Sequence, residues 1–212
     1  MSDILIKDNY FEDVDLIREI GLELDYSLNR EKTYPHKGWR GKRTFSLIEY
    51  DIEILNNITD SIFSLCYDFF DLKNFIFPHN GHQAKNLDIA TYYHINVEED
   101  KNAFPNFSFD KFHKDFGCAI TGVVYLTPNA PLEAGTSIFD GNINQIVNVE
   151  NVYNRLVAFN SNQIHAPTDF FGNSEENGRM TFNFFILESE YINSETKQLK
   201  RNPSAANSEQ LY

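Results

Sequence analysis

Apolar positions change their spacing once along the chain. In "VDLIREIGLELDYSL" (residues 14–28), Leu16, Ile17, Ile20, Leu24 and Leu28 recur at intervals of three and four. That spacing predicts an amphipathic helix with Asp13 or Asp15 near its start. A second helix is predicted over Asp51–Phe70, where Ile54, Leu55, Ile58, Ile62, Leu65 and Phe69 fall on one stripe. Between them "NREKTYPHKGWRGKRT" is interrupted by Pro and Gly and reads as a loop. From about residue 74 the helical spacing gives way to short runs rich in β-branched and aromatic residues. These are "NFIF", "LDIATYYHI", "CAITGVVYL", "TSIF", "NQIVNV", "NRLVAFN" and "MTFNFFIL", separated by Gly, Pro, Asn and Asp. Strands spaced in this way predict a sandwich or barrel with the helices packed outside. Residues 192–212 show no apolar spacing and read as a mobile polar tail. The chain thus divides into one domain, 1–191, with a helical N-terminal support (1–73) and a β core (74–191).

Composition narrows this picture. A chain of 212 residues is long enough for one domain with a sizeable core, and 19 Phe and 11 Tyr argue against disorder. A formal net charge of −13 argues against binding to a nucleic-acid backbone. The one basic cluster, "HKGWRGKR" at 36–43, reads first as a solvated loop. Cys66 and Cys118 are too few for a disulfide framework, and Cys118 reads as a small buried hydrophobe. No signal peptide and no apolar stretch of membrane-spanning length is visible, so the default expectation is a cytoplasmic protein.

Candidate chemistry centres on "HKD" at 113–115. His113 and Asp115 stand two apart, so on an extended chain both side chains reach toward one point. They offer an imidazole nitrogen and a carboxylate oxygen, donors suited to a first-row metal. A third ligand must come from elsewhere, and His165 closes the strand-like run "RLVAFNSNQIH" just before Pro167. Two His and one carboxylate on one face of an octahedral ion leave three positions open, the arrangement of non-haem Fe(II) oxygenases. An H-x-D triplet alone carries little weight. His79 and His82 in "PHNGH" form a competing pair, although no carboxylate on a nearby strand accompanies them. Downstream, Arg179, Thr181 and Asn183 in "GRMTFNFFI" share one face of a predicted strand. A guanidinium fork suits a carboxylate in a pocket, and Thr181 offers a hydroxyl to the same oxygens.

With these motifs in this order, the sequence resembles the Fe(II)- and 2-oxoglutarate-dependent oxygenases, and within them the prolyl-4-hydroxylase-like group. The resemblance is best over residues 87–187. "HKDFGCAITGVVYLTP" is similar to the family's H-x-D and following core strand, and "EAGTSIF" to its glycine turn and strand. "NRLVAFNSNQIHAP" is similar to the segment carrying the distal His, and "RMTFNFF" to its R-x-S/T strand. More weakly, "DNYFEDVDLIREIGLEL" resembles the N-terminal helix of small members. The resemblance implies a double-stranded β-helix (a cupin-like jelly roll), with His113, Asp115 and His165 as iron ligands. It implies Arg179, helped by Thr181, as the partner of the distal 2-oxoglutarate carboxylate. A Tyr on the strand before H-x-D commonly contacts that cosubstrate, and strand parity favours Tyr93 over Tyr92. Fe(II), 2-oxoglutarate and O2 are then the implied cofactors, with ascorbate as an optional reductant. The implied reaction is hydroxylation of an unactivated C–H bond in a peptide or a small molecule. The alternative is a catalytically silent jelly-roll or cupin-type ligand-binding module. Trp39, Arg40 and Arg43 are candidates for substrate contact. Two departures stand out: Ala134 replaces a Gly of the family turn, and the segment from His165 to Arg179 is long, which a hairpin extension would absorb.

Overall fold

In the computed structural model, residues 4–26, 28–29, 41–78, 81–102, 112–140 and 144–188 are described. The expected tail at 192–212, together with Trp39, Arg40 and His79, lies outside them. The chain opens with strand β1 (Ile4–Lys7) and helix α1 (Val14–Glu23), then the two-residue strands β2 (Leu28–Asn29) and β3 (Lys42–Arg43). Helix α2 (Glu53–Phe69) is followed by β4 (Leu87–Asn96), β5 (Cys118–Tyr125), β6 (Thr136–Phe139) and β7 (Gln145–Val149). Then come β8 (Leu156–Asn160), β9 (Ile164–Pro167) and β10 (Arg179–Glu188).

Two antiparallel sheets face each other. The larger has the order β1-β8-β5-β10-β4-β3-β2, and the smaller β7-β6-β9. This is the expected mainly β jelly roll with helices outside. β10 lies at the centre of the larger sheet and is buried on both faces. Met180, Phe182, Phe184 and Ile186 join Ile17, Leu55, Ile62 and Cys66 in the core between sheet and helices. Arg179, Thr181, Asn183 and Phe185 point the other way, into the space between the sheets. The helices exist to cover the first face. Asp13 caps α1 by accepting from the Leu16 amide at 3.1 Å.

Several expectations are corrected. α1 ends at Glu23 rather than Leu28, because Leu24 is extended (ψ 156°) and the Tyr26 hydroxyl donates to the Gly21 carbonyl of the last turn. "NFIF" forms no strand: a 3₁₀ turn at Leu72–Asn74 leads to one isolated bridge, Ile76 with Gln83. The run "RLVAFNSNQIH" is not continuous. It breaks at Ser161–Gln163 and passes from the larger sheet to the smaller. The segment before Arg179 is a turn loop rather than a hairpin, with Asn177 Oδ1 accepting from the amides of Asn173 and Ser174. Its Gly172 carbonyl accepts from the Glu98 amide. Among the described residues no helix is long and apolar enough to cross a membrane.

Candidate metal centre

The break between β8 and β9 builds the centre. After the turn, β9 pairs with β6 so that His165 lies opposite Ile138. On its other edge His165 meets His113, with amide-to-carbonyl bonds of 3.1 and 2.9 Å in both directions. The Asp115 amide donates to the Ser161 carbonyl at 3.1 Å. The H-x-D segment is therefore stitched along β9 as an irregular extra strand, and both its side chains turn toward His165.

His113, Asp115 and His165 come together with their ligand atoms all within 4.8 Å of one another. His165 Nε2 lies 3.3 Å from Asp115 Oδ2, and His113 Nε2 lies 3.8 Å from Oδ1. His165 Nδ1 faces the Gln163 carbonyl at 3.0 Å. A carbonyl only accepts, so this contact places a proton on Nδ1 and turns Nε2 to the centre. The Asp115 side chain is almost fully buried. Burial alone would raise its pKa, but the His165 and His113 rings and the Thr121 hydroxyl outweigh that and hold the carboxyl well below the usual range. A deprotonated carboxylate and two imidazole nitrogens in this arrangement fit a divalent first-row metal. Phe159 packs on the His165 ring at 4.8 Å between centroids.

Arg179 is also buried. Its Nε donates to the Ala134 carbonyl at 3.0 Å, and Nη2 donates to the Gly135 carbonyl at 3.1 Å and reaches Thr136 Oγ1 at 3.4 Å. Its Cζ lies over the Tyr125 ring at 5.5 Å, and the Tyr125 hydroxyl donates to Thr136 Oγ1 at 2.7 Å. Burial lowers the Arg179 pKa and Tyr125 opposes this; a guanidinium stays cationic either way. Arg179, Tyr125 and Thr136 thus form one polar group at the end of the interior.

Not every expected residue joins it. Thr181 sits on the interior face opposite Tyr125, and its hydroxyl donates to Asn183 Oδ1 at 2.6 Å. Tyr93 faces the opposite way. It pairs with Phe182, and its hydroxyl donates to the Ile17 carbonyl of α1 at 2.7 Å. The expectation for Tyr93 is therefore corrected: Tyr92, opposite Asn183, is the ring on the interior face. Tyr125, Thr121 and Thr136 were not singled out from the sequence. Tyr125 and Thr121 share parity on β5, and Tyr125 ends that strand, which was the available signal. The basic loop reading is corrected at Arg43, which is buried rather than solvated. His82 is exposed and stands apart from the centre.

No protein-family model and no curated protein matches the sequence. The architecture does match solved structures. A prolyl-4-hydroxylase from Pseudomonas putida superposes with a TM-score of 0.54 at 13% identity, covering 89% of this chain and 94% of that one. HygX from Streptomyces hygroscopicus, solved with nickel and 2-oxoglutarate, gives 0.55 at 10% identity over 89% of this chain and 84% of that one. A full-length Neurospora crassa protein, solved in complex with alpha-KG, gives 0.51 at 11% identity over 88% of this chain and 74% of that one. At such identities the likeness establishes the shared fold, the one that the motifs implied.

Proposed function

We propose that the chain is a non-haem Fe(II)- and 2-oxoglutarate-dependent dioxygenase that hydroxylates an unactivated C–H bond in a peptide or a small molecule. The observation that carries this reading is the convergence of His113, Asp115 and His165, from two separate segments, on one point inside a jelly roll. These three side chains would hold the iron, leaving the rest of its coordination sphere for cosubstrate and dioxygen. When bound, the metal and 2-oxoglutarate supply the oxidising chemistry, with one oxygen atom passing to the substrate and one to the succinate that is formed.

The chain's own residues position and enclose. Gln163 and Phe159 fix the His165 ring, the first through Nδ1 and the second by packing. Thr121 holds the Asp115 carboxylate. Arg179 receives the distal carboxylate of 2-oxoglutarate, with the Tyr125 and Thr136 hydroxyls beside it. Buried Phe159, Val157 and Phe185 keep water from the interior. The test is succinate formation from 2-oxoglutarate with Fe(II) and ascorbate. Slow iron-dependent turnover, abolished in Asp115→Ala, is expected. Metal binding with no succinate from any peptide or small-molecule mixture would leave only a ligand-binding jelly roll.

A further inference from the structure

Solvent reaches the interior face of the central strands at one row. β5 and β10, neighbours in the middle of the larger sheet, are buried along their lengths except at Val123, Asn183 and the terminal Glu188. Val123 and Asn183 are register partners. Asn183 shares the face of Arg179 and Thr181, and Val123 packs on the interior cluster that contains Tyr125, Ile138 and Phe159. The open row is therefore part of the floor between the two sheets. The rows on either side of it are occupied. Toward one end Thr181 is opposite Tyr125, which carries the Arg179 and Thr136 group. Toward the other Phe185 is opposite Thr121, the residue that holds Asp115. Successive rows on one face stand about 7 Å apart, twice the rise per residue. The open row thus lies between the Arg179 group and the carboxylate of the metal centre.

Asn183 is oriented as well as open. Its Oδ1 accepts from the Thr181 hydroxyl at 2.6 Å, so the amide oxygen turns along the strand toward Thr181. Oxygen and nitrogen of an amide point apart, so Nδ2 turns away from Thr181, toward the row of Phe185 and Thr121. Thr181 is fully buried, and the His94 carbonyl at 3.4 Å is the more distant of the two acceptors in its reach. Nδ2 brings two N–H donors and has no partner among the described residues. A side-chain pair that served only the core would be sealed; this one opens on the interior. Donors held in one direction, beside an apolar neighbour, suit a ligand whose oxygen acceptors adjoin methylene carbons. 2-Oxoglutarate has that order, with a 2-oxo acid head, two methylenes and a distal carboxylate.

We infer, building on the dioxygenase reading above, that Asn183 is a further cosubstrate-binding residue, its Nδ2 donating to an oxygen of the 2-oxo acid head while Val123 underlies the methylenes. Arg179 takes the distal carboxylate on one side of the open row, and Asn183 steers the head toward the metal on the other. Thr181 is a positioning residue that acts through the Asn183 amide.

The test uses the full chain with Fe(II) under anaerobic conditions, titrated with 2-oxoglutarate and with 2-oxovalerate, which keeps the head but ends in a methyl group. Asn183→Leu should weaken both ligands about tenfold, as loss of a hydrogen bond to a charged group implies. Asn183→Asp has the same shape and still accepts from Thr181. It should weaken both ligands more, because an anion then faces an anion. The visible charge-transfer band of the Fe(II) and 2-oxoglutarate complex should shift in both variants, because a donor on the head polarises the group that accepts the charge. A merely structural residue would leave that band in place. Thr181→Val should show part of each effect. Mn(II) should bind all three variants as it binds wild type. Wild-type affinity for 2-oxoglutarate in either Asn183 variant, or an unshifted band, overturns the inference. So does a loss confined to 2-oxoglutarate, which would assign the amide to the distal carboxylate, or loss of Mn(II) binding in both Asn183 variants, which would make the residue structural. Failure of wild type itself to bind 2-oxoglutarate with Fe(II) overturns the dioxygenase reading, a result that is seen before any variant is made.

Discussion

Arg179 has two duties, and they separate in its variants. It spans backbone carbonyls at Ala134 and Gly135 and also presents charge to the interior. Arg179→Ala should keep the metal yet weaken 2-oxoglutarate binding by roughly tens to thousands of fold, the range for truncating one side of a buried charge pair. Arg179→Lys should fall between, since a point charge lacks the fork. Equilibrium titration of 2-oxoglutarate against Mn(II)-loaded variants checks both, and wild-type affinity in Arg179→Ala would remove it from the pocket. The adjacent rings Tyr92 and Tyr93 give a second contrast. Tyr93→Phe deletes the bond to the Ile17 carbonyl and should cost about 1 kcal/mol in denaturant unfolding while leaving 2-oxoglutarate affinity alone. Strand parity favoured Tyr93 from the sequence, but it is a weak guide on this strand. β4 is buried on both faces, one by the helices and one by the interior, so neither set of alternating positions reads as solvent-facing.

Helix α1 illustrates how packing reverses a local preference. In an exposed helix, Gly→Ala stabilises by roughly 1 kcal/mol. At Gly21 a Cβ would stand 2.4 Å from Met180 Cε and 2.6 Å from Tyr93 Cε1. Met180 can yield, but the Tyr93 ring is tied by its hydroxyl to α1 itself. Gly21→Ala should therefore destabilise, by about 1–3 kcal/mol for overpacking, and a raised unfolding midpoint would contradict this packing. Both helices and six of the strands were legible in apolar spacing, because each lays a continuous apolar set on a neighbour. The sheet switch at Ser161–Gln163 was not, since "SNQ" carries no Gly or Pro and both flanking strands are apolar. β3 was hidden for another reason. Its Arg43 lies in a basic, glycine-flanked stretch, and charge ordinarily signals exposure. Of the centre, His113, Asp115 and His165 were visible through their donor chemistry. Tyr125 and Thr136 were hidden in strands whose residues looked like core.

For the molecule as a whole, the centre ties together segments far apart in sequence, with the backbone of the H-x-D strand bonded to β9 and to the Ser161 carbonyl. Metal should therefore act as a cross-brace. A ligand that binds the folded state alone stabilises by about 2.7 kcal/mol at a hundred times its Kd. Mn(II) should raise the thermal midpoint of wild type and leave Asp115→Ala unmoved; an equal rise in both would place the ion elsewhere. The proposed function requires metal and cosubstrate to meet where His113, Asp115, His165 and Arg179 stand. Calorimetric titration of 2-oxoglutarate into the full chain, with and without Mn(II), addresses this most directly. One 2-oxoglutarate per chain should bind tightly with Mn(II) present and far more weakly in EDTA. Binding of equal strength in both conditions, or none in either, would contradict the metal centre and the function built on it.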